Sequence, residues 1–131
     1  MRATYMKKII IALLTLMSMN SSYAAIEILK ETPEGIAYVD PDSITKSNGL
    51  TKVIVLQDFH KMQSHAGQSY LTSKVQLGFD CKAKTVQQLE ITLFPENMGN
   101  GAPVFADQQA GAMSAIQAGS LEAVVMRKVC R

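Results

Sequence analysis

Over residues 70–81 apolar and polar side chains alternate almost without interruption. Leu71, Ser73, Val75, Leu77, Phe79 and Cys81 share one face, and Tyr70, Thr72, Lys74, Gln76, Gly78 and Asp80 share the other. A two-residue period belongs to a strand covered on one side, so Cys81 is expected on the covered side. Residues 85–94 alternate again, with Leu89, Ile91 and Leu93 expected inward and Gln88, Glu90 and Thr92 outward. Upstream, residues 50–62 predict a long strand around the β-branched run Val53-Ile54-Val55, entered through the hairpin signal Asn48-Gly49. Residues 26–29 and 36–39 predict two shorter strands, with Thr32-Pro33-Glu34-Gly35 placed for a type I turn between them. Asp40-Pro41-Asp42-Ser43-Ile44 reads as a single capped helical turn, Asp40 as cap and Pro41 at the first helical position. Residues 64–67 read as a turn, 95–103 as a Gly- and Asn-rich loop, and 104–105 as a brief strand. Residues 107–119, mostly Ala, Gly and Gln, fit neither helix nor strand clearly. Ser120 can then cap a helix with Glu122 in its first turn. Leu121, Val124, Val125 and Val129 recur at helical spacing, which predicts a helix over 120–130 lying on the apolar face of the sheet.

The first 24 residues follow a different logic. Arg2, Lys7 and Lys8 precede the apolar run of residues 9–17, and Ser22-Tyr23-Ala24 supplies small residues for a signal peptidase. We expect residues 1–24 to be a cleaved signal peptide and 25–131 the mature domain. The apolar run is shorter than the ~20 residues that span a bilayer. Cys81 is the first cysteine, so no lipid-bearing Cys follows the leader. The expected product is exported, periplasmic or secreted, and not a lipoprotein. Cleavage also changes the charge. Of thirteen basic residues three leave with the leader, and ten then face eleven acids. That balance gives no reason to expect nucleic acid or an anionic membrane as partner.

About a hundred residues suit one domain that profits from a covalent staple. In an oxidising compartment the pair Cys81 and Cys130 defaults to a disulfide, with free thiols as the alternative. The closed loop of about 50 residues corresponds to roughly 4 kcal/mol in the chain-entropy model. Such a bond would draw Lys82, Lys84, Arg127, Lys128 and Arg131 to one end of the domain. This candidate basic patch suits a polyanion, be it a sulfated glycan, lipopolysaccharide phosphate or an acidic protein surface. The alternative is that Arg127, Lys128 and Arg131 merely complement the helix C-terminus. Catalytic signatures are missing. No serine sits in a Gly-x-Ser-x-Gly elbow, and Gly99-Asn100-Gly101 lacks the flanking strand and helix of a phosphate loop. His60 and His65 have no ligand-spaced companions, so neither a metal nor a cofactor is expected. The chain reads as a non-enzymatic protein.

Several pieces in order resemble the surface-adhesin protein E family: Tyr38-Val39-Asp40 with Ser43-Ile44, residues 53–59, Tyr70 with Ser73-Lys74, and Phe79-Asp80-Cys81. Met98-Gly99 with Gly101, Ile116 with Gly119-Ser120, and Val129-Cys130 complete the match. The resemblance implies an α+β fold, mainly an antiparallel β-sheet of about six strands, with a C-terminal helix tethered to its apolar face by a disulfide. For the family's namesake it implies binding of matrix and plasma proteins such as vitronectin, laminin and plasminogen, and haem has been associated with it. Many relatives carry tryptophan where this chain has Ile54, Met113 and Met126, and these positions are expected to be packing sites. A protein partner is therefore expected, either host matrix protein or an envelope component. A soluble periplasmic binding or inhibitor protein, acting for instance on cell-wall hydrolases, is the alternative.

Overall fold

Tight turns set the register of one antiparallel sheet. The computed structural model describes residues 26–131. The expected leader, residues 1–24, lies outside the described residues. The strands are β1 (Glu27–Thr32), β2 (Gly35–Ser47), β3 (Leu50–His65), β4 (Gln68–Asp80), β5 (Thr85–Phe94), β6 (Phe105–Asp107) and β7 (Ser114–Ala115). They lie in the order β1-β2-β3-β4-β5-β6, with the two-residue β7 also on β5. Asn48 and Gly49 have φ of 53° and 76°, and Ala66 and Gly67 have φ of 50° and 77°. Both pairs are two-residue turns with positive φ at both positions, whose twist matches that of the flanking strands. The second of these turns lets β3 run to His65, three residues past the expected end. At the β1–β2 turn Gly35 has no room for a side chain, since a Cβ there would come within 2.1 Å of the Asp58 carbonyl oxygen.

Beyond the register shift in β1 between Ile28 and Lys30, three bulges interrupt the ladders. In β2 the pairing with β3 slips between Asp40 and Thr45. The expected capped turn at residues 40–44 is not helical; it is extended backbone inside β2. The Asp40 carboxylate does accept a bond from the Asp42 N–H at 3.0 Å, as a cap would. The Ser43 hydroxyl then donates to Asp40 O at 2.6 Å and accepts from Ile54 N–H at 2.8 Å. It replaces the carbonyl that the slipped ladder withholds from β3, and this lets the strand continue. A second bulge lies in β3 between Asp58 and Gln63. In β5 Gln76 pairs with Glu90 but Leu77 pairs with Gln88, which leaves Leu89 in a bulge. Leu89 therefore turns to the opposite face from Ile91 and Leu93, where it and Leu50 sit over Gly78. The inward placement expected for Leu89 is corrected by that extra residue.

The helix α1 (Leu121–Val129) is capped by the Ser120 hydroxyl, which accepts from Ala123 N–H at 3.2 Å. It packs Val125 and Val129 against Val39, Val53, Val55, Leu77, Phe79 and Val86 of the sheet. Val39, Val53, Phe79 and Val125 are 0% exposed, so this layer is the core. Within residues 107–119, undecided from sequence, Asp107 ends β6, Gly111 N–H bonds to Gln88 O at 2.8 Å and Ser114 of β7 pairs with Val86. No helix among the described residues is long and apolar enough to cross a membrane.

Candidate functional site

The hairpins β2–β3 and β4–β5 place their turns at the same end of the sheet, and the C-terminus of α1 arrives there too. Cys81, just past β4, is bonded to Cys130, just past α1, with Sγ–Sγ 2.06 Å and Cα–Cα 5.6 Å. The half-buried pair packs against the core. Beside it opens a shallow cleft of about 570 Å³. Leu50, Val129 and the disulfide are among its apolar lining, and Lys46, Lys82 and Arg131 are its cations. Asp80 is the carboxylate there, and its Oδ1 accepts the N–H groups of Lys82 at 3.1 Å and Ala83 at 3.0 Å.

The structure thus brings together part of the expected patch. Lys82 and Arg131 line the cleft. Lys84, two residues beyond Lys82 in the same turn, is exposed with φ of 54°. Arg127 is exposed on α1 and does not line the cleft. Lys128 is engaged elsewhere, in an ion pair with Glu27 of β1. Both partners are substantially exposed, so the pair contributes little stability. Lys46 joins them through the register of β2 on β3 and of β3 on β4, with Lys46 paired to Thr51 and Thr51 to Phe79.

 In sequence Lys46 stands 36 positions from Lys82 and 85 from Arg131, and no local pattern links the three.

Among the described residues the other face of the sheet carries no α-helix, and the short 3-10 turn Asn97–Gly99 sits at its edge. Register places Ile28, Tyr38, Leu56, Lys74 and Thr92 side by side across five strands. Asp40, Ile54, Gln76 and Glu90 form the next row. Tyr38, Ile54, Leu56, Lys74, Phe94 and Met98 line a hollow of about 280 Å³. At its edge the loop after β5 is pinned to the sheet. Asp58 Oδ1 accepts Met98 N–H and Asn97 Nδ2–H, both at 2.9 Å. The fully buried Thr72 hydroxyl sits 2.7 Å from Glu96 O and accepts Gly99 N–H at 3.1 Å. The tryptophan-equivalent positions divide accordingly. Met126 packs on the core, whereas Ile54 faces away from the helix and Met113 is 42% exposed. The packing role expected of all three fits Met126.

His60 sits at the β1–β2 turn, where its backbone N–H donates to Glu34 O at 2.9 Å. His60 Nδ1 lies 3.1 Å from Pro33 O, and the His65 ring meets the edge of Phe105 at a centroid distance of 4.7 Å. No group of three metal-ligating side chains occurs among the described residues. The exposed Glu34 carboxyl is held below its ordinary value by the Thr32 hydroxyl and then by its own backbone amide.

The family model for surface-adhesin protein E matches residues 26–131. No curated protein matches the chain. Among solved structures, a second crystal form of Haemophilus influenzae protein E aligns with a TM-score of 0.62 at 13% identity, covering 85% of this chain and 90% of that one. Protein E from non-typeable Haemophilus influenzae aligns with a TM-score of 0.61 at 12% identity, covering 88% and 81%. At such identities the likeness is one of fold.

Proposed function

Because the chain belongs to the surface-adhesin protein E family, we propose that it is an exported, non-enzymatic protein that works by binding other proteins, host matrix or plasma proteins among them. The observation that carries this reading is the outer sheet face. Half-buried Tyr38, Ile54, Leu56 and Phe94 are interleaved there with Lys74 and Glu90 on strands that the core holds rigid. Apolar area next to fixed charge, without an overlying layer, is the make-up of a protein-contact surface. The test is binding of the purified protein to immobilised matrix and plasma proteins, with Leu56→Lys and Ile54→Glu as variants. These side chains point away from the core, so the fold should survive, which circular dichroism checks. A contact-centre substitution of this kind costs about 2 kcal/mol or more, some thirtyfold in affinity. Unchanged affinity in both variants would reject this face as the contact surface. Binding to no matrix or plasma protein, together with near-stoichiometric inhibition of a cell-wall hydrolase, would favour the periplasmic inhibitor instead.

A further inference from the structure

We infer that the cleft beside the disulfide is a second binding site, for a sulfated polysaccharide. It lies at the turn end of the sheet and not on the outer face, so it stands independently of the protein-binding surface. Its three cations come from three parts of the chain: Lys46 from the end of β2, Lys82 from the β4–β5 turn, and Arg131 from beyond α1. None of the three is in an ion pair in the structure; among the described residues the paired cation of this end is Lys128. Lys84 extends the positive charge past the rim. Asp80 opposes it, but its carboxylate already accepts two backbone N–H groups. Glu27, at this end of the sheet, is paired with Lys128.

The lining favours a sugar chain over a lipid surface. Leu50, Val129 and the disulfide offer an apolar floor on which the C–H face of a pyranose ring can lie, with sulfates reaching the cations at the rim. The exposed large hydrophobics Ile26, Ile28, Met62, Met98 and Met113 do not line this cleft, so it offers nothing to insert into a bilayer. Helix complementation accounts for Arg127 and Lys128 on the last turn of α1, but not for Lys46 or Lys82, which belong to the sheet and its turn.

Heparin is the probe. Affinity of the purified protein is measured across a salt series, and polyanion binding releases counterions in proportion to the cations engaged. Relative to the native protein, Lys46→Gln/Lys82→Gln should lower the slope of log affinity against log salt by about two, and Arg131→Gln by about one. Arg127→Gln, outside the cleft, should leave the slope unchanged. Failure of the native protein to bind heparin would overturn the proposal. So would equal slopes for the native protein and the cleft variants, or an Arg127→Gln effect as large as theirs. Binding to phosphatidylglycerol vesicles in place of heparin, with the same cation dependence, would replace the polysaccharide with a lipid headgroup and overturn it as well.

Discussion

Ser43 shows how much one hydroxyl can decide. It takes the Ile54 N–H that the β2 bulge would otherwise leave without a partner. Ser43→Ala should therefore cost about 1–3 kcal/mol, measured as a shift in the chemical-denaturation midpoint. A midpoint that does not move would mean that the ladder heals without the side chain. The same residue explains a misreading. Asp40-Pro41-Asp42-Ser43 has the composition of a helix start, and the Asp40 carboxylate does accept the Asp42 amide. Local chemistry alone cannot distinguish a cap from a bulge; the neighbouring strand decides it through Ile54. Leu89 was misplaced for a related reason. Alternation assumes an uninterrupted ladder, and a single extra residue in β5 moves its side chain to the other face.

At the scale of elements, β4 and α1 were the most legible. In β4 the faces followed from strict alternation, and in α1 from Ser120 and the recurrence of Val125 and Val129. Their junction through Cys81 and Cys130 is also where the core closes, since Val125 and Val129 meet Phe79 and Val53. A nine-residue helix is marginal by itself. Its docking thus depends on these contacts and on the tether. Cys81→Ser should lower stability by about 2–5 kcal/mol and expose α1 to proteolysis before the sheet. Reductant should do the same to the native protein. A melting temperature that responds to neither would show that apolar packing alone holds the helix. Residues 107–119 were illegible because they are edge-bound: backbone bonds to β5 hold them, and small or polar side chains carry no period.

For the whole molecule, the sheet separates two surfaces. The helix occupies one face, the outer face carries the apolar and charged mosaic, and the cations gather at the disulfide end. Of the five cations expected at this end, Lys82 and Arg131 line the cleft, and their meeting followed from pairing the two cysteines of a chain expected to be exported. Lys46 joined it only through strand register, and Lys128 left it only through Glu27. The outer face was concealed for another reason. Its residues look like ordinary strand residues until α1 is seen to lie on the opposite side. The proposed binding of host proteins requires the protein to reach them outside the cytoplasm. The most direct test is therefore location. Cells making the native protein are treated with protease while intact, and the mature N-terminus is sequenced. The account predicts cleavage after Ala24 and either digestion on intact cells or recovery from the medium. Retention of residues 1–24, or a protein protected in intact cells and released by osmotic shock, would contradict a role in binding host proteins.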